Sequence, residues 1–390
     1  MFDSNRINAF AQRETPFYYY DINLLEQTLS AASQSANTRG FHVHYALKAN
    51  FNNRLLDCIR RVGFGADCVS GNEVRRAIEA GFDAKKIVFA GVGKSDREIS
   101  YALSQDIFAF NVESIQELEV IDTLAASLGK TARVALRINP NVDAHTHHYI
   151  TTGLDENKFG IAQWELVDAI EMLRKCIHIE LVGIHFHVGS QITDLKVFKS
   201  LCVKANELNN WFDERGYRLS VLNVGGGLGV DYHEPDKNPI PDFEAYFAVF
   251  DEFLERKPGQ EVHFELGRAL VSQCGSLVSR VLYVKNGIKK NFAIIDAGMT
   301  ELMRPALYQA YHRIANLTAA DKNNVENQHI HYDVVGPICE SSDCFGKEVE
   351  LPTTKRGDLI AIRTAGAYGE VMASRYNLRE EIRYVFSDEQ

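Results

Sequence analysis

Lys48 closes a stretch, Phe41 to Asn50 (FHVHYALKAN), in which Phe41, Val43, Tyr45 and Leu47 alternate with His42, His44 and Ala46. That period of two, rich in aromatic residues, predicts a buried strand. An ammonium at the end of such a strand loses hydration, which favours the neutral amine, a nucleophile that attacks a carbonyl and holds it as an imine; taken alone, a strand-end lysine more often turns its ammonium out to water. Far along the chain, VLNVGGGLG supplies three consecutive glycines, Gly225, Gly226 and Gly227, after an apolar run. Such a turn brings backbone N–H groups against an anion, and it also serves as a plain loop. Glu265 and His187 lie at the ends of other apolar runs. A carboxylate there can keep a pyridine nitrogen protonated or pair with Arg268; an imidazole can cover a ring face or serve as a hydrogen-bonded structural group.

These residues need a scaffold that brings distant strand ends together. Apolar runs recur at 63–70, 87–92, 107–112, 133–140, 181–189, 221–229 and 262–270, which with the lysine strand makes eight. Amphipathic or helix-forming segments lie between them, among them Asn72–Ala80, Ser114–Leu128, Trp164–Arg174, Lys196–Arg215 and Asp242–Glu255. The expected fold class is α/β, a closed (β/α)8 (TIM) barrel over 35–270. After residue 271 the chain turns β-rich, at SLVSRVLYVKN, NFAIIDAG, HIHYDVVG and DLIAIRTAG. Residues 271–390, joined by 1–34 with its aromatic strand at Thr15–Asp21, are expected to form a second, mostly β domain. The polar stretch Asn316–Gln328 reads as a solvated loop.

In a barrel, polar groups at the C-terminal strand ends converge on one site. Here they are Lys48, Asp67 with Ser70, Arg137, His187 with Ser190, Gly225–Gly227, and Glu265 with Arg268. A reactive amine beside an anion cradle points to a cofactor with both a carbonyl and a phosphate, which pyridoxal 5'-phosphate has.

Bulk properties narrow the partners. The 390 residues are 45% apolar and 24% charged, as in an ordinary globular protein. A formal charge of −10 argues against nucleic acid or an anionic membrane surface and favours a small-molecule partner. Seven cysteines without CxxC spacing indicate neither a disulfide framework nor a zinc site, so a reducing cytoplasm is expected. The HTHH run at His145–His148 comes with no cysteine or carboxylate pattern; it reads as a polar loop, and no metal is expected. No apolar run approaches the roughly 20 residues of a membrane span, and the N-terminus has no apolar core of signal-peptide length.

YALKAN, HTHHYITTGLDENKFGI, GIHFHVGSQ, NVGGGLG, ELGR, DAGMTELMRPALYQAYH, GPICESSD and GAYG, in this order from about Pro16 to Asn377, resemble the barrel-type (fold type III) pyridoxal-phosphate-dependent amino-acid decarboxylases. The resemblance implies that Lys48 bonds the cofactor aldehyde, His187 stacks on its ring and Glu265 pairs with its nitrogen. It further implies that Ser190 with Gly225–Gly227 binds the phosphate and that Tyr368 touches phosphate or substrate; Asp67 is counted with the cofactor contacts. Cys339, otherwise a small buried hydrophobe, becomes the proton donor and with Glu340 reaches the partner subunit's site in a homodimer. Arg268, Arg304 and Tyr308 are expected on a distal carboxylate of the substrate, and Glu340 on its distal ammonium. One departure is Leu266, where the family usually has proline, from which a looser turn before Arg268 is expected. The rivals are a decarboxylase of another basic amino acid or of carboxynorspermidine, an alanine-type racemase, which typically has arginine at the pyridine nitrogen, and a catalytically dead paralogue.

Overall fold

The structure, a computed structural model, describes residues 2–142, 158–320 and 328–389. His145–His148 lie outside the described residues. The chain divides into two compact units, one of residues 28–229 and 241–270, the other of residues 1–27, 230–240 and 271–390.

A first strand, β1 (Phe17–Tyr20), belongs to the second unit. Eight strands then build the barrel: β2 (Phe41–Ala46), β3 (Gly65–Cys68), β4 (Ile87–Phe89), β5 (Ala109–Val112), β6 (Ala132–Arg137), β7 (Ile179–His185), β8 (Val221–Asn223) and β9 (Glu261–Leu266). Each pairs in parallel with the next, and β9 closes on β2 with His44 opposite Glu265. The closed (β/α)8 barrel of the sequence reading is therefore the fold. Most strand positions are buried because both faces are covered, the inner by the opposite strands and the outer by helices. On β9 the two faces separate cleanly. Phe264 points outward and packs edge-on against Phe247 and Phe250 of the helix Phe243–Phe253, with centroids 4.9 Å apart in both pairs. Glu265, its neighbour, then points inward.

The strand carrying the lysine stops at Ala46, so Lys48 sits two residues beyond it in a short 3-10 turn, Leu47–Ala49. The Tyr45 hydroxyl fixes that turn by donating to the Asn50 carbonyl at 2.7 Å. Helices begin where short polar side chains can cap them. Ser70 and Ser114 each accept from the amide three residues on, Glu73 and Glu117, at 3.2 Å. Helices Asn53–Arg61 and Asp96–Ser104, absent from the sequence reading, fill out the alternation.

The second unit is a mixed sheet ordered β12-β15-β10-β11-β13-β14, from β10 (Gly275–Asn286), β11 (Asn291–Ile295), β12 (Ile314–Asn316), β13 (His329–Val335), β14 (Cys344–Pro352) and β15 (Leu359–Ile362). β1 pairs with β10 and with the last strand, β16 (Arg383–Phe386), which ties both chain ends into one sheet. Phe10, Phe17, Tyr19, Val278, Leu359 and Val385 form its core. The solvated loop expected from Asn316 onward is corrected over its first residues. Asn316 is buried at the end of β12, donating to Thr354 Oγ1 and Asp358 Oδ2 at 3.0 Å each, and its Oδ1 accepts from the Ala319 amide in the short helix Leu317–Ala320. A polar side chain can be interior when every donor and acceptor is met. No helix among the described residues is long and apolar enough to cross a membrane.

Candidate active site

Glu265 is the centre of the barrel unit. Its Oε1 accepts from the side-chain amides of Asn111 and Asn223 at 2.8 Å each, and its Oε2 from His185 Nε2 at 2.9 Å. Burial alone would raise its pKa, but His185, through charge and hydrogen bond, followed by Lys48 and His187, outweighs burial and holds Glu265 well below the usual carboxylate range. The barrel thus keeps a fixed carboxylate in a water-poor interior. The alternative of an ion pair with Arg268 is not realised. Sequence reasoning passed over His185, Asn111 and Asn223, which occupy inward positions on three different strands. Their one legible sign was phase: His185 and Asn223 stand two residues before His187 and Gly225, on the same face.

Lys48 Nζ lies 3.8 Å from Asp67 Oδ2. Its side chain is 39% exposed, nearer the solvent-turned alternative than a fully buried amine: one residue past Leu47, the chain has already left the ladder. Asp67 is buried, and neither of its carboxylate oxygens has a hydrogen-bond partner among the described residues. Burial, then the charge of Glu265, pushes its pKa up. His187 is driven the other way, well below its ordinary value, by burial and then by Lys48 and Arg137. A neutral imidazole results, an uncharged flat face for a ring. Nearby, Arg137 Nη1 donates to Glu113 Oε1 at 2.6 Å, and Glu113 also accepts from the Gly91 and Gly160 amides at 3.0 and 2.9 Å. This knot joins the ends of three strands.

The glycine turn is as tight as the sequence implies. A Cβ on Gly225 would fall 2.1 Å from the Phe186 carbonyl oxygen, on Gly226 1.9 Å from that of Glu265, and on Gly227 2.7 Å from that of Gly189. Gly225 and Gly227 have φ of +69° and +116°, in the region that favours glycine. The Gly225 amide already donates to Asn223 Oδ1 at 3.0 Å, so its contribution is shape, whereas the amides of Gly226 and Gly227 donate to none of the described residues. Arg268 donates from Nε and Nη2 to Ser190 Oγ at 3.1 and 3.0 Å. A hydroxyl that accepts twice has its own proton left to donate to an anion. Leu266 does not loosen the turn: it is buried and stays in the ladder opposite Tyr45.

The second unit carries the remaining sequence-predicted residues. Arg304 is buried and donates to the Tyr232 hydroxyl at 3.1 Å and to His312 Nε2 at 2.9 Å. It opens a five-residue helix that ends in Tyr308. Cys339 is exposed and not the buried hydrophobe a bare reading gives. Its loop is pinned by Asp343, whose Oδ1 and Oδ2 accept from the Met299 and Ile338 amides at 2.6 and 2.7 Å. The Cys339 amide donates to Asn377 Oδ1 at 3.2 Å, and the Tyr376 hydroxyl donates to Glu340 Oε1 at 2.7 Å. Tyr368 has φ of +56°, and a Cβ on the following Gly369 would meet the Ala365 carbonyl oxygen at 2.4 Å.

A glycine cradle, a lysine against an unsatisfied buried carboxylate, a neutral imidazole and a carboxylate fixed by three donors suit a pyridine ring with an aldehyde and a phosphate. At the strand ends of a closed barrel they define a barrel-type pyridoxal-phosphate enzyme. The family described as pyridoxal-dependent decarboxylase, pyridoxal binding domain, matches residues 23–272. The diaminopimelate decarboxylase of Bacteroides thetaiotaomicron is 56% identical over 384 residues, 98% of each chain. That of Helicobacter pylori J99 is 41% identical over 378 residues, 97% of this chain and 91% of its own. The crystal structure of the H. pylori enzyme complexed with L-lysine superposes with a TM-score of 0.89, at 39% identity over 98% of this chain and 94% of that one. The chain belongs to the diaminopimelate decarboxylase family of pyridoxal-dependent decarboxylases, and pyridoxal phosphate is its cofactor.

Proposed function

We propose that this protein decarboxylates meso-diaminopimelate to L-lysine and carbon dioxide, with two subunits sharing each active site. The observation that carries the chemistry is Glu265, an anion fixed by Asn111, Asn223 and His185. An arginine in that place would suit a racemase. The substrate follows from full-length kinship with diaminopimelate decarboxylases.

Pyridoxal phosphate, when bound, supplies an electron sink for the pair left behind as carbon dioxide departs. Lys48 would hold its aldehyde carbon, Ser190 with Gly226 and Gly227 its phosphate, His187 one ring face and Glu265 its nitrogen. Gly225 gives the phosphate turn its shape, and Asp67, beside Lys48, adds a further contact at the cofactor. Tyr368 serves the phosphate or the substrate. Arg304 and Tyr308 receive the distal carboxylate, together with Arg268, which also braces Ser190. Glu340 receives the distal ammonium, and the Cys339 thiol delivers a proton to the α-carbon. Cys339 and Glu340 act in the partner subunit's site. Free cysteines at all seven positions suit a reducing cytoplasm.

Carbon dioxide release should be compared for meso-diaminopimelate, lysine, ornithine, arginine and carboxynorspermidine. kcat/KM for diaminopimelate should exceed the others by about 30-fold or more, the least that one lost buried charge contact costs. A preference for ornithine, arginine or carboxynorspermidine would make this a different decarboxylase on the same fold. Site sharing is tested by mixing two inactive variants, Lys48→Ala and Cys339→Ala. After random subunit exchange, half the dimers are mixed and each has one intact site of two, giving about a quarter of wild-type activity. No recovery after demonstrated exchange means that each chain builds its own site.

A further inference from the structure

At the N-terminal end of the barrel, away from the strand ends that carry Lys48, lies a cluster that the chemistry above does not use. His42 and His263 are direct partners across the ladder that closes β2 on β9, with ring centroids 4.9 Å apart. Glu261, two residues before His263, projects to the same side. One ligand atom from each of the three lies within 4.8 Å of the other two. His263 is buried, whereas His42 and Glu261 are exposed, so the cluster opens to solvent.

The hydrogen bonds behind it have a fixed direction. The Lys86 carbonyl only accepts, so His44 Nδ1, 3.0 Å away, carries a proton. In its neutral form a ring with its proton on Nδ1 presents a bare Nε2. His263 Nδ1, 2.8 Å from that nitrogen, therefore donates to it. In the neutral ring this leaves the His263 lone pair on Nε2, aimed at Glu261 Oε2 at 3.0 Å. That pair is held either by a proton, as an ordinary hydrogen bond, or by a cation that both groups ligate, and the third ligand atom, on His42 within 4.8 Å of both, is what points to the metal.

A histidine whose far nitrogen is anchored through a second group to a carbonyl is arranged as metal-ligating histidines are, with tautomer and ring plane fixed from behind. Donors at about 2.0–2.1 Å from a tetrahedral zinc lie about 3.3 Å from each other. The His263–Glu261 spacing already suits this, and a His42 ring nitrogen lies within 4.8 Å of both ligand atoms. The competing cation Arg133 is directed elsewhere, lying over the Phe108 ring at 4.6 Å and 3.8 Å from Glu180.

We propose that His42, Glu261 and His263 bind a divalent transition-metal ion, zinc, with a position left for water, and that His44 orients His263 for it. The ion would join the first and last strands of the barrel across its closing seam. No sequence spacing signals this cluster, since the two histidines stand 221 positions apart and only closure brings them together.

The test uses the cofactor-loaded enzyme, dialysed against a chelator and then titrated with zinc by calorimetry and metal analysis. One zinc per chain is expected, together with a zinc-dependent rise in melting temperature. His42→Ala and Glu261→Gln, both surface changes, should each weaken zinc binding about tenfold or more and abolish the melting shift. Anomalous scattering at the zinc edge should place a peak against His263 Nε2 and Glu261 Oε2. Absence of stoichiometric zinc overturns the proposal and leaves the His263–Glu261 contact an ordinary hydrogen bond. So does zinc held equally well by both variants, which puts the ion elsewhere, for example at the exposed Cys339 thiol.

Discussion

Glu265→Gln should lower kcat by about 10²–10³-fold while leaving the barrel folded. Glutamine keeps the length and one acceptor oxygen, so Asn111 and Asn223 can still donate to it. With Glu265 uncharged, a neutral His185 can follow by changing tautomer: its Nδ1 is buried with no hydrogen-bond partner among the described residues, so moving the proton there costs no existing bond and leaves Nε2 to accept from the new amide. Charge is what is lost. The carboxylate is held ionised well below its ordinary pKa, and a neutral amide cannot keep a pyridine nitrogen protonated or balance charge that builds during bond breaking. Removing one preorganised electrostatic group from an active site typically costs about 3–4 kcal/mol, which gives the stated range. Carbon dioxide release measures it, with circular dichroism and melting temperature recorded in parallel. A loss under tenfold in a folded, cofactor-loaded variant would remove Glu265 from the centre of the mechanism.

What made this protein readable in sequence was strand content. Short runs such as IFAFNV and LVGIHFHVG are apolar on both faces because the barrel buries both, and such runs stand out even when their ends blur. Lys48 was legible as a strand-end lysine, but the end of its ladder was not: pairing stops at Ala46, and strand periodicity carries no mark of where hydrogen bonding stops. Glu265 was legible too. Its three donors were not, because Asn111, His185 and Asn223 become neighbours only through strand order and inward phase. Arg268 shows the same limit, since nothing in ELGR indicates that its guanidinium rests on Ser190, 78 residues earlier. Asn316 misled in the opposite direction: a polar residue beginning a polar stretch reads as solvated, and only the pairing of β12 with β15 shows that its amide is met inside. Local physics fixes elements, and closure fixes partners.

Arg304→Ala should reduce kcat/KM for meso-diaminopimelate by about 30-fold to a few thousand-fold and alter lysine decarboxylation far less. The two molecules differ by one distal carboxylate, so an interaction with that group is the direct means of telling them apart. Arg304 is built to be aimed. Its Nη1 donates to the Tyr232 hydroxyl and to His312 Nε2, and its guanidinium carbon lies 5.1 Å from the Tyr232 ring centre. His312 accepts with a bare Nε2 because its Nδ1, 2.9 Å from the Arg363 carbonyl, must carry the proton, so this contact orients the arginine without neutralising it. A planar guanidinium held this way can meet a carboxylate through two parallel hydrogen bonds. Losing one partner of a buried charged pair costs roughly 2–5 kcal/mol, which is the predicted range at about 1.4 kcal/mol per tenfold. Lysine never made that contact, so the ratio of the two rates, and not either rate alone, should collapse. Arg304→Lys should recover only part of the preference, because an ammonium keeps the charge but not the fork. If Arg304→Ala slows both substrates equally, the arginine shapes the site as a whole, and selection for the distal carboxylate belongs to other residues.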